Sequence, residues 1–170
     1  GNHDRFYSFA FDPTGTGTGA GVYMLNVAGG NTTWQNISNN LPATEATGDR
    51  VFLATRPAGA DPVYAAVIDA SGIPTGVYRA VAFGSTYVWT AIGPGGLPPD
   101  VSTGAQATVH FAIVADPTSD RIVYVAGDRV NGNTLVSDSI ARGDAIADTW
   151  TTITLPDPSP GPTTPGTTPP

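Results

Sequence analysis

Short runs in which apolar and β-branched residues alternate with polar ones recur along this chain, each closed by Gly, Pro, Asp or Asn. Alternation of period two, bounded by turn formers, is the mark of half-buried β-strands. It predicts strands at residues 5–11, 22–27, 51–55, 63–68, 77–83, 87–92, 109–115 and 122–126. Residues 139–148 carry Gly143 and no apolar stripe of helical period, and they read as loop. Many short strands separated by turn signals point to an all-β sandwich, barrel or propeller.

Internal repetition narrows the choice. Phe9-Ala10-Phe11-Asp12-Pro13 lies over Leu53-Ala54-Thr55-Arg56-Pro57 and Ile113-Val114-Ala115-Asp116-Pro117, each a strand running into a turn at Pro. Tyr64 and Tyr124 each stand seven residues beyond that Pro, and Tyr23 and Tyr78 each precede a tryptophan by 11. Trp34, Trp89 and Trp150 are each followed three positions later by Ile, at Ile37, Ile92 and Ile153, and then by Leu-Pro. The tryptophans are 55 and 61 residues apart. That period suits a propeller blade of about four strands better than a solenoid turn of roughly 20–35 residues.

The expected architecture is three propeller-type antiparallel blades at about residues 5–42, 51–98 and 109–156, the first shortened by a strand; the alternative is a β-sandwich. Three blades fall short of the roughly four to eight that close a ring. The expectation is therefore a piece of a larger propeller, or chains that combine. A start at Gly1, with neither initiator Met nor leader, reads as a mature or trimmed piece.

The segment Gly29-Gly30-Asn31-Thr32-Thr33-Trp34-Gln35-Asn36-Ile37-Ser38-Asn39-Asn40-Leu41-Pro42 resembles the Asp-box, or BNR, hairpin of sialidase-like and sortilin-like β-propellers, Ser-x-Asp-x-Gly-x-Thr-Trp followed by Ile and often Leu-Pro. Ala115-Asp116-Pro117 and Ile122-Val123-Tyr124-Val125-Ala126-Gly127-Asp128 resemble the inner-strand half of the same blade. Together the likeness spans about residues 5–156. Ala28 and Ala82 stand near where the box carries Asp, and Asp144 or Asp148 is the candidate in the third copy. Sialidase chemistry in that family uses a glutamate, a tyrosine nucleophile and three arginines, while β-glucan-cleaving relatives use paired aspartates. The only glutamate here, Glu45, lies in a polar connection, which argues against the first.

Composition sharpens the picture. Gly 21 and Pro 16, with 12% charged residues, exclude helical bundles and coiled coils. The absence of Cys excludes disulfides, thiolate chemistry and cysteine-ligated metal centres. A net charge of −7, with all seven bases arginine, speaks against nucleic acid or an anionic membrane as partner, and no apolar run is long enough for membrane insertion. Residues 157–170, Pro- and Thr-rich, form an extended polyproline stalk or linker in which Thr163, Thr164, Thr167 and Thr168 are candidate O-glycosylation sites. Such a tail, held in order, would fit contact with a neighbouring chain.

Candidate chemistry is sparse. His3 lies near the terminus, and His110 reads as a structural strand residue, with no Gly-x-Ser-x-Gly elbow to pair with it. Asp12, Asp61, Asp116 and Asp157 precede Pro and read as turn initiators, although two aspartates across a groove are what a glycosidase needs. Asp128, Asp138, Asp144 and Asp148 crowd one stretch and are candidate Ca²⁺ or ligand-loop residues, without the spacing of a calcium loop; no other cofactor is implied. Arg142-Gly143-Asp144 spells an adhesion tripeptide that chance readily supplies. The three tryptophans suit stacking on sugars, but their fixed register favours packing within the repeat, shared with Tyr23, Tyr64, Tyr78 and Tyr124. Asn31 and Asn36 head N-glycosylation sequons, and Asn131-Gly132-Asn133 reads as a tight turn.

The functional expectation is a non-catalytic, extracellular bacterial surface protein, a recognition, adhesive or structural β-repeat module. Glycans and self-association through neighbouring blades are its expected partners. Two alternatives stand beside it: a subunit of an extracellular filament joined through open strand edges and the Pro-rich tail, and a fragment of a BNR-type glycoside hydrolase with paired aspartates.

Overall fold

The computed structural model describes residues 4–11, 19–41, 50–56, 62–83, 86–99, 101, 105–127 and 139–153. Residues 157–170, expected as a stalk or linker, with Thr163, Thr164, Thr167 and Thr168, lie outside them, as do Asp128, Asp138, Glu45 and Asn131-Gly132-Asn133.

The described chain is all-β and forms three antiparallel meanders, none closed on itself. The first holds β1 (Arg5–Ala10), β2 (Gly21–Asn26) and β3 (Trp34–Asn36). The second holds β4 (Arg50–Thr55), β5 (Val63–Ile68), β6 (Pro74–Phe83) and β7 (Thr86–Ala91). The third holds β8 (Ala112–Ala115), β9 (Ile122–Gly127), β10 (Ser139–Asp144) and β11 (Thr149–Ile153).

Two apolar clusters join the sheets face to face. Val22, Met24 and Ile37 of sheet one meet Val63, Ala65, Ala80 and Trp89 of sheet two. From the opposite face of sheet two, Tyr64, Ala66 and Val77 pack with Val123, Val125 and Ala141 of sheet three. Sheet two is therefore covered on both faces, which is why every residue of β5 is buried and why its sequence, Val-Tyr-Ala-Ala-Val-Ile, does not alternate.

Strand pairing gives the repeat a register that differs from the overlay on Pro. Trp34 lies across from Leu25 and Phe6, Trp89 from Ala80 and Val63, and Trp150 from Gly143 and Val123. Thus β1 is the counterpart of β5 and β9, and Tyr7, Tyr64 and Tyr124 occupy one position. The strand residues Phe9 and Ala10 therefore do not correspond to Leu53 and Ala54 or to Ile113 and Val114. Sheet one has three strands, and the strand without a counterpart is the one that β4 and β8 supply. Any apolar run entering a turn at Pro looks alike in sequence, whereas pairing to the tryptophan strand is unique.

Two other expectations change. Residues 139–148 are not loop: they contain β10, the turn after it and the turn's last residue, Asp148. The apolar signal is missing because β10 buries Ser139, Ala141 and Gly143, small residues over which a neighbour supplies the bulk. A Cβ at Gly143 would lie 2.7 Å from Cζ3 of Trp150. The predicted strand 109–115 is shorter, because Ala107–His110 forms one helical turn, α1, and His110 ends it rather than standing in a strand. That turn is tied down by the Ala107 N–H donating to the Gly72 carbonyl (3.0 Å), and it delivers Phe111 onto Phe52, ring centroids 5.7 Å apart.

Candidate functional site

Each Trp-x-x-Ile unit contributes to a bond between successive sheets. The Trp89 indole Nε1–H donates to the carbonyl of Ile37 at 2.6 Å, and that of Trp150 donates to the carbonyl of Ile92 at 2.6 Å. The tryptophan of one sheet thus reads the Ile peptide of the sheet before it. The Ile is placed by its own sheet, since the Ile37 N–H donates to Val22 and the Ile92 N–H to Val77. Trp89 is 3% exposed and Trp150 half-buried, whereas Trp34 is 45% exposed and its indole N–H has no partner among the described residues. The packing expected of all three tryptophans therefore does not extend to Trp34.

Around this bond the other repeat residues find partners. Asn40 brackets the backbone of Trp89, its Nδ2 donating to the carbonyl (2.6 Å) and its Oδ1 accepting from the N–H (3.1 Å). Asn40 has φ of 54°, a conformation that Asn and Gly tolerate. Asn40→Gly should remove only the side-chain bonds and lower stability by about 1 kcal/mol. Asn40→Ala should lose roughly 1 kcal/mol more through strain, both read from urea midpoints.

Tyr64 is fully buried and donates to the Asp120 carbonyl (3.0 Å), to which Arg79 Nε also donates (3.1 Å). Burial raises its phenol pKa, against the opposing charge of Arg79. Tyr124 donates to Asp116 Oδ2 at 3.2 Å, Tyr23 to the Gly19 carbonyl at 3.0 Å, and burial raises the pKa of Tyr78. Tyr7 meets Tyr87 across sheets one and two, hydroxyls 3.1 Å apart; burial first, then that contact, raises the Tyr7 pKa. Sequence reasoning missed Tyr7 and Asn40. The Phe6-Tyr7, Val63-Tyr64 and Val123-Tyr124 pairs were the signal for the first.

Asp69, Asp116, Asp144 and Asp148 are engaged locally. Asp69 accepts from the N–H groups of Ser71 and Ile73. Asp116 accepts from Thr118 and Ser119, chiefly the Thr118 hydroxyl, which holds its pKa below the ordinary value. Asp148 Oδ1 accepts the Gly93 N–H at 2.6 Å, binding sheet three to the segment after Ile92. Asp144 is buried, paired with the Arg121 guanidinium and bonded to the N–H groups of Ile146 and Ala147. Of the two box candidates in the third repeat, Asp144 is thus the one that closes the β10–β11 turn. The Arg142-Gly143-Asp144 tripeptide lies within a strand with its carboxylate bound, not on a loop tip.

The Arg121 guanidinium holds the Asp144 carboxyl well below the usual carboxylate range, with the two backbone N–H groups aiding and burial opposing. A lowered folded-state pKa contributes stability that is complete above the unfolded value of about 3.9 and is lost as pH falls toward the folded value. The urea midpoint of the wild type should therefore drop below about pH 4 more steeply than that of Asp144→Asn, whose amide does not titrate there.

No cluster of three His, Asp or Glu side chains poised for a metal occurs among the described residues. Asn31 and Asn36 are exposed, and each accepts a backbone N–H two residues on, from Thr33 and Ser38. One hollow of about 430 Å³ opens on the face of sheet three turned away from sheet two, with Ala112, Ala126 and Ile140 as floor and Val109, His110 and Phe111 at its side. Its floor is apolar, and His110 is its titratable group.

No described helix is long and apolar enough to cross a membrane. No known protein family, curated protein or solved structure matches the chain.

Proposed function

We propose that the chain is a non-catalytic module of the cell exterior, a stack of BNR-like propeller blades whose role is structural or recognitive. The observation that carries this reading is the indole-to-Ile-carbonyl bond, made in the same way between sheets one and two and between sheets two and three. It uses the Trp-x-x-Ile residues on which the family likeness rests, which on this reading join blades. Asp69, Asp116, Asp144 and Asp148 are each committed to a turn or to a neighbouring segment, which favours architecture over a paired-aspartate hydrolase. The Pro- and Thr-rich composition of residues 157–170 supports an extracellular setting.

The test is incubation of the 170-residue chain with β-glucans and sialylated glycans, following reducing ends and free sialic acid. The expected result is no release above a heat-denatured control. Release that disappears on Asp→Asn substitution would overturn the reading in favour of a hydrolase.

A further inference from the structure

The two outward faces of the stack are the two halves of the interface already made twice inside it. Sheet one turns Phe6, Leu25 and Trp34 away from sheet two. Their counterparts Val63, Ala80 and Trp89 are 0%, 0% and 3% exposed, yet Phe6 is 53% and Trp34 45% exposed. At the other end, sheet three turns Ala112, Ala126, Ile140 and Ile153 outward in one row. Their counterparts in sheet two, Phe52, Ala66 and Val77 with Ile92 just beyond, are packed beneath sheet three and the α1 segment. The neighbouring row repeats as well: Ala54, Tyr64, Arg79 and Thr90 correspond to Val114, Tyr124, Arg142 and Thr151. Val114 is 58% exposed where Ala54 is 9%.

An apolar row left open where the corresponding row of another sheet is covered is a docking surface whose partner chemistry follows from the covered copy. We propose that the outward face of sheet three receives the outward face of sheet one from a second copy of this chain, with the Trp34 indole N–H donating to the Ile153 carbonyl. The occupant follows from continuity: one chain carries both the donor face and the acceptor face of the same joint. Such a contact is heterologous, so it propagates head to tail and yields a ring if the rotation closes or a filament if it does not. It joins sheet faces, not open strand edges, and it goes beyond the functional reading above, because it requires neither a glycan nor an extracellular setting.

The test uses the full chain in sedimentation velocity over about 1–200 μM, the range in which a modest interface declares itself. The wild type should grow in mass with concentration, and the emission of exposed Trp34 should shift to the blue as it does. Trp34→Asp blocks the donor face and Val114→Lys the acceptor face. Each variant alone should remain monomeric, its self-association weakened at least ~10-fold, as expected at the centre of an interface. Mixed, they should form a dimer and nothing larger, because one intact face of each kind remains. Phe6→Asp, at a position already half in solvent, should behave as Trp34→Asp does and guards against misfolding of that variant. A wild type that stays monomeric throughout, variants that assemble as the wild type does, or a mixture that fails to dimerise would each overturn the proposal.

Discussion

Trp89→Ala is expected to destabilise the chain by about 3–5 kcal/mol, the range for deleting a large buried aromatic, while Trp34→Ala stays within about 1 kcal/mol. The two residues hold the same place in successive repeats, yet their surroundings differ. Trp89 is 3% exposed among Val22, Ile37, Val63 and Ala80, so its removal empties the joint between sheets one and two. It also strands the Ile37 carbonyl, whose partner is the indole N–H. A buried carbonyl without a partner adds about 1–3 kcal/mol to the transfer loss. Trp34 is 45% exposed and makes no such bond among the described residues, so truncation gives its area back to water it already meets. Urea unfolding followed by circular dichroism, with the m-value checked for constancy, separates the two outcomes.

The second large effect lies at Gly143. This residue faces Trp150 across the β10–β11 pair, and a Cβ there would come within 2.7 to 3.1 Å of three carbons of the six-membered ring. The indole cannot slide freely, because its Nε1–H is held by the Ile92 carbonyl at 2.6 Å. On its other side Gly93, at φ of 77°, lies against the indole's five-membered ring. Gly143→Leu should therefore force the indole off Ile92 and destabilise by about 3 kcal/mol or more, the upper range for overpacking. The comparison within the molecule supports the sign: the residue facing exposed Trp34 is Leu25, that facing buried Trp89 is Ala80, and that facing Trp150 is Gly143. Double-mutant analysis with Trp150→Ala should show the Gly143→Leu penalty shrinking, since the ring it collides with is gone.

The repeat and its β character were legible in sequence because alternation, turn formers and the Trp-x-x-Ile register are local signals. The strands of sheet two were placed to within a few residues for the same reason. What was hidden depends on contact between sheets. β10 gave no apolar signal because its buried positions are the small residues Ser139, Ala141 and Gly143, the last with Trp150 lying over it. The true register of β1 was masked because residues 9–13 imitate the strand-to-Pro pattern of β4 and β8, and only pairing with the tryptophan strand shows β1 to match β5 and β9. The roles of the tryptophans were half visible. Fixed spacing pointed to packing, but that each indole bonds the preceding repeat, leaving the first one outward, follows from which face each sheet turns to its neighbour. The short α1 turn was missed because Val109-His110-Phe111 alternates like a strand, while the Gly72 contact ties the helical turn down.

Successive sheets are joined by an indole N–H bonded to the Ile carbonyl of the sheet before. Hydrogen exchange of the three indole N–H groups, followed by NMR in dilute solution, tests it most directly. Two indoles should exchange slowly, assigned by substitution to Trp89 and Trp150, and one, Trp34, at nearly the free rate. Three indoles exchanging alike, or a protected Trp34 beside an open Trp89, would contradict it.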